Sequence, residues 1–194
     1  MTGFDLHRFD PPLELPVLRC GPIVLRPFDP ADIPLVKEAS LDPYIPYITS
    51  VDPNSNDAEA LAFIERQGER AAGGHGYPLV IAADDDPSRG LGAVGLWLRD
   101  IENGRATVGY WLAASARGAG TAGWALRALV TFAFDDLAIP RLQLYIEPWN
   151  TASVHTAESA GFVHEAHLRG WERIGDEQHD VDCYSLLNEE WAPR

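Results

Sequence analysis

Cysteine is scarce in this chain of 194 residues: Cys20 and Cys183 stand far apart and alone. Two thiols so placed supply neither a disulfide framework nor a metal-ligand spacing, so they read as buried structural thiols in a reducing cytoplasm. Long apolar runs are missing too, and nothing approaches the ~20 residues of a membrane span. Asp5, Arg8, Asp10 and Glu14 occupy the stretch where a secretory signal needs an apolar segment, so a cytoplasmic location is expected. Positive charge is in deficit, with 15 Lys and Arg against 29 Asp and Glu and a net charge of −14. That balance argues against nucleic acid and anionic membrane as partners and favours a cationic one. There is no internal repeat and no low-complexity tract. The length suits one domain over residues 1–194, with 1–19 as an irregular N-terminal arm.

What the chain does have is a glycine-rich junction. Ala106 to Leu112 is rich in β-branched and aromatic residues and reads as a strand. Gly118, Gly120 and Gly123 follow, and then Ala122, Ala125, Leu126, Leu129, Val130 and Ala133 recur at helical spacing. A helix therefore opens near Thr121 and runs to about Leu137. A strand, a glycine loop and a helix N-terminus together collect anions, because small residues let backbone N–H groups point at a phosphate and the helix dipole favours negative charge. Two patterns fit the letters. Gly118-x-Gly120-x-x-Gly123, with Glu147 after the next strand as a ribose-binding acid, matches a dinucleotide fingerprint. Arg117-x-x-Gly120-x-Ala122 matches a pyrophosphate loop of another kind.

The order of elements separates them. Ile23 to Pro27 reads as a strand, and Asp29-Pro30-Ala31-Asp32 starts a helix running to Ser40. Residues 42–53 form a proline- and tyrosine-rich connection. A second helix spans Asp57 to Ala72 and stops at Gly73-Gly74. Strands at Pro78–Ala83, Leu91–Arg99 and Ala106–Leu112 make an antiparallel meander. The acidic triplet Asp84 to Asp86 is a solvated turn within it, so no metal is expected. After the glycine loop come a strand at Arg141–Ile146 and a helix at Thr151–Ala160. A hairpin of Phe162–Trp171 and Val181–Leu187 turns at Gly175-Asp176. One crossover and several antiparallel strands speak against the repeated βαβ order of a dinucleotide fold, which leaves a dinucleotide-binding Rossmann-type oxidoreductase as the less favoured alternative.

A second motif stands in register with the loop. Asn150-Thr151-Ala152-Ser153, followed by Gly161-Phe162, joins Arg117-x-x-Gly120-x-Ala122, Ile23-Val24-Leu25-Arg26-Pro27 and the closing stretch Asp180 to Trp191. Over residues 20 to 191 the sequence resembles the GNAT N-acetyltransferases, in the branch of the ribosomal-protein alanine and serine N-terminal acetyltransferases. The resemblance implies an α/β (α+β) fold: a mixed, mostly antiparallel sheet with a splayed central parallel pair, flanked by helices. It implies acetyl-coenzyme A as acyl donor, held by Arg117, Gly118, Ala119, Gly120, Thr121 and Ala122. Trp111 and Leu112 would pair with the pantetheine amides and present an N–H to the thioester carbonyl, and Asn150 and Ser153 would lie along the same arm. Ser153 is the implied acid for the departing thiolate. Glu172, nineteen residues further on, is the implied base for the amine. Tyr184 is an alternative acid, His155 and His164 read as structural, and Trp97, Trp124, Trp149 and Trp171 are candidates for the acceptor cleft. The partner implied is a primary amine, a protein N-terminus or a small molecule, and a homodimer stays open. A non-catalytic acyl-coenzyme A-binding protein is the alternative from a different class.

Overall fold

Strand formation follows the short β-branched and apolar runs, punctuated by turns rich in Gly, Pro and Asp. In the computed structural model, which describes residues 4–191, the strands are β1 (Leu18–Cys20), β2 (Ile23–Arg26), β3 (Gly76–Ala83), β4 (Gly90–Trp97), β5 (Arg105–Leu112), β6 (Arg141–Ile146), β7 (Val163–Ile174) and β8 (Glu177–Leu187). They form one sheet in the order β1-β2-β3-β4-β5-β6-β8-β7. All neighbours are antiparallel except β5 and β6. A helix must cross between parallel neighbours, and α4 (Thr121–Thr131) does so.

The parallel pair is paired only from Arg105↔Arg141 to Thr107↔Gln143. Past Thr107 the two strands part, while β5 stays paired to β4 as far as Leu112 and β6 stays paired to β8 as far as Ile146. The sheet is therefore split at its centre and intact on both sides of the split. This is the splayed mixed sheet expected from the sequence, and it excludes the doubly wound dinucleotide fold.

Strand alternation sends side chains to two cores. On one face Leu25, Leu79, Ile81 and Leu96 are fully buried against Leu126 and Leu129 of α4, with Ala157 of α5 (Thr151–Ser159) in the same cluster. On the other, Val24, Val80 and Ala82 pack against α1 (Ile33–Ser40) and α3 (Asp57–Ala72) through Val36, Phe63 and Ile64. Each large aliphatic buried in this way contributes about 1.5–3 kcal/mol.

Four elements differ from expectation. The N-terminal arm is not wholly irregular: Leu6–Phe9 is a 3₁₀ turn, Leu18–Cys20 joins the sheet, and Phe9 and Leu13 are buried. Its first three residues lie outside those described. The 42–53 connection contains a one-turn helix, α2 (Ile45–Ile48). Pro46 is tolerated there because it falls in the first turn, where the missing N–H is not needed. The glycine-loop helix gives way after Thr131 to a π-helical turn, Phe132–Asp136. The β7–β8 hairpin reaches all the way to Gly175, whose φ of 61° suits the tight turn. Most residues near its tip are polar, Ile174 excepted, so the apolar signal there is weak.

Candidate functional site

The donor end is built from main chain. After β5 a 3₁₀ turn at Ala114–Ala116 leads into Arg117, and Gly118 and Gly120 take φ of 82° and 74°. Gly120 is the N-cap of α4. Side chains are strained at such φ values, and a Cβ at Gly118, Gly120 or Gly123 would enter open space. Among the described residues, no backbone acceptor pairs with the N–H groups of Gly118, Ala119, Gly120, Thr121 and Ala122. Five donors at a helix N-terminus around an open concavity fit a diphosphate. Arg117 contributes differently from the expected charge. Its guanidinium turns back to donate to the Leu112 carbonyl from Nε at 3.2 Å and Nη2 at 3.0 Å, and it pairs with Asp42 at 2.5 Å. The N–H groups of Tyr44 and Ile45 also donate to Asp42. Burial acts to raise the Asp42 carboxyl, but these donors and Arg117 outweigh it and hold it below its ordinary value.

The edge of β5 leads from this loop into the split. Ala113 N–H donates to the Leu91 carbonyl at 3.0 Å, which fixes the alternation: Trp111 and Gly109 direct their backbone groups at β4. Leu112, Tyr110 and Val108 direct theirs at the gap. Trp111, expected to offer its amide there, offers its side chain on the α1–α3 face instead. Across the gap, Asn150 Oδ1 caps α5 by accepting from Ser153 N–H at 3.2 Å. Tyr110 Oη donates to the Ser153 carbonyl at 3.4 Å. Asn150, Ser153, Tyr110 and Trp111 all line one cleft of about 1090 Å³.

The far end of the cleft is built from side chains of distant segments. Glu147, the first residue after β6, is 5% exposed, and an unpartnered carboxylate so buried would be costly. Tyr44 Oη donates to its Oε2, and His179 Nδ1 of β8 lies 2.6 Å from its Oε1. Burial first, then the hydrogen bond to Glu147 and the charge of that carboxylate, push the Tyr44 phenol far above its ordinary pKa, so the hydroxyl stays a donor. Glu172 adds to that push from β7, where it is the cross-strand partner of His179. Glu172 and Glu147 thus share the cleft with Ser153. Sequence reasoning read Glu147 only as a ribose ligand of a dinucleotide, and it missed Tyr44 and His179. The only sequence signal for Tyr44 was a tyrosine-rich connection, and His179 had none.

Of the four tryptophans, Trp97 lines the cleft. Trp149 packs edge-on against Tyr44, with centroids 5.0 Å apart, and Trp171 stacks on Tyr145 at 5.9 Å. Trp124 is elsewhere, on α4 beside Gly21 and Arg127. Tyr184 is buried against His164 at 5.2 Å and does not line this cleft. His155 is exposed on α5. Among the described residues no group of three or more His, Cys, Asp or Glu could hold a metal ion, and no helix is long and apolar enough to cross a membrane.

A split sheet fed by a main-chain anion loop is the architecture of an acyl-coenzyme A N-acyltransferase. Residues 23–163 match the family model of the acetyltransferase (GNAT) domain, and the chain belongs to that family. It is 27% identical to the uncharacterized N-acetyltransferase p20 of Bacillus licheniformis over 172 residues, 88% of this chain and 95% of that one. An acetyltransferase of the GNAT family from Bacillus anthracis superposes with a TM-score of 0.77 at 18% identity, covering 90% of this chain and all of the other. Mycobacterium smegmatis RimJ, in complex with a coenzyme A disulfide, superposes at 0.75 with 22% identity, covering 92% and 89%. The protein is an acetyl-coenzyme A-dependent acetyltransferase, and the non-catalytic alternative gives way.

Proposed function

We propose that this acetyltransferase moves the acetyl group to a primary amine, in the cytoplasm, by direct attack within the cleft. The observation that carries the reading is the split between β5 and β6: past its last paired residue β5 runs beside a cleft holding Ser153, Glu147 and Glu172, and the glycine loop follows the end of that strand. Acetyl-coenzyme A supplies an acetyl group activated as a thioester. Residues 117–122 hold its diphosphate through main-chain N–H groups, and the free edge at Val108, Tyr110 and Leu112 pairs with its amide-bearing arm. Asn150 and Ser153 border that arm from α5.

The acceptor arrives as a cation, the two carboxylates of the cleft favour its approach, and it gives one proton to solvent before it attacks as the neutral amine. Glu172 takes the proton that the nitrogen gives up as the N–C bond forms. Ser153 gives its hydroxyl proton to the sulfur as the C–S bond breaks, and it regains one from Glu172 through solvent. The net result is transfer of one amine proton to the thiol. Glu147 stays an anchor, since both its oxygens already face donors.

Incubation of the protein with acetyl-coenzyme A and a panel of peptides, polyamines and amino acids tests this by mass spectrometry of the products. N-acetylation of at least one primary amine is expected. Tight coenzyme A binding with no amine acetylated would overturn it.

A further inference from the structure

Eight arginines of this acidic chain are ion-paired with carboxylates. Arg70 and Arg99, which line the cleft, are outside that set. Arg70 is part-buried at the end of α3 and has neutral partners: Gln67 Oε1 at 2.8 Å and Ser50 Oγ at 3.0 Å. Its guanidinium also lies over the Trp97 ring, 5.4 Å from the centroid. Among the described residues no carboxylate pairs with it. Burial, and then Arg66 nearby, lower its pKa from the usual arginine value, so its charge is poorly compensated. In a protein with 29 acidic residues a partner carboxylate was readily available. A part-buried charge left with neutral partners is stabilised by a counter-ion, and the open cleft is where one can enter.

We propose that the acceptor carries an anionic group as well as its amine, and that Arg70, assisted by Arg99, binds that group. The proposal rests on the amine-acetylation reading and deepens it. Geometry sets the spacing. Trp97, under Arg70, pairs with Thr107, the last residue of β5 joined to β6, and Glu147 lies four residues further along the chain from Gln143, the partner of Thr107 on β6. Those levels are four residues apart, or about 13 Å at ~3.3 Å per residue. The acceptor class is therefore a primary amine with a carboxylate or phosphate on the order of 10 Å from its nitrogen. A peptide with an acid two or three residues from its N-terminus spans that distance at ~3.3–3.6 Å per residue. The amine end meets the Glu147 and Glu172 carboxylates and the anion meets the arginines, so the cleft reads the acceptor as a dipole.

The test uses peptides that differ only at the third residue, Asp against Asn, with phosphoserine there as a third arm. The parent should favour Asp over Asn by tenfold or more in kcat/KM, and the phosphoserine arm shows whether phosphate or carboxylate is the better anion. In Arg70→Met that Asp/Asn ratio should fall below about threefold, and Arg70→Lys should restore part of it. If Arg70→Met does not fold, Arg99→Gln serves the same comparison with a smaller fall. A ratio near one in the parent, or one unchanged by these variants, overturns the proposal. Calorimetry in the presence of coenzyme A separates it from the transfer reading. Tight Asp-peptide binding that weakens tenfold in Arg70→Met, with no peptide acetylated, keeps the anion site and removes the transfer. Equal binding of the Asp and Asn peptides, or no binding of either, removes the anion site.

Discussion

Beyond the end of β5, at the proposed donor site, Gly118 to Ala122 present main-chain N–H groups from one short stretch, and side chains matter chiefly by their absence. At the proposed acceptor end, Tyr44, Arg70, Glu147 and Glu172 arrive from four separate segments and their side chains line the cleft, with His179 from a fifth against Glu147. The first arrangement recognises a ligand common to many enzymes by the one group every residue carries. The second is specified by loops and strand ends that change without disturbing the sheet, which is how one fold serves many acceptors. Arg117 is the tie between them, since it holds both the end of β5 and Asp42 at the root of the acceptor loop.

Substitutions should separate the two ends. The largest effect is expected from Gly120→Val, which puts a β-branched side chain at a φ of 74° and fills the space in front of the donors. Coenzyme A binding should become undetectable by calorimetry while circular dichroism still shows a folded chain. Glu172→Gln should leave coenzyme A affinity within about twofold and lower kcat by about 10²–10⁴, with partial recovery as pH rises and more amine is already neutral. Ser153→Ala should lower kcat by about tenfold with a smaller change in coenzyme A affinity, and equal losses in both would make it a binding residue only. Tyr44→Phe leaves a buried Glu147 oxygen without its donor and should cost about 1–3 kcal/mol in chemical denaturation.

The smallest effect is on pH. Because the Asp42 carboxyl is lowered in the folded state, its contribution is complete above the unfolded pKa of ~3.9 and is lost as pH falls through the lower folded value. Hydrogen exchange of the Tyr44 and Ile45 amides should quicken over that acid window. The same window should narrow in Arg117→Gln.

The two ends also differ in how readable they were. The loop chemistry is local, so the spacing of Gly118 and Gly120 against Asn150 and Ser153 carried the fold, and with it the proposal of where the donor binds. The split followed from one crossover among antiparallel strands. Glu147 and Tyr44 are 103 residues apart and meet only because the 42–53 segment is folded back to the end of β6. No periodicity records such a meeting. Trp111 was misassigned for a smaller reason: backbone direction alternates along β5, and its phase is set by the Ala113–Leu91 bond rather than by residue type. Glu172 was located by counting from Ser153, and the strand that carries it proved longer than its apolar pattern because polar cross-strand pairs extend it to the turn.

The central claim is that both ends are filled at once and the acetyl group passes directly between them. Initial velocities with acetyl-coenzyme A and amine varied together test it most directly. The account predicts lines that intersect in the double-reciprocal plot, as a ternary complex requires. Parallel lines, with coenzyme A released before any amine is added, would contradict it.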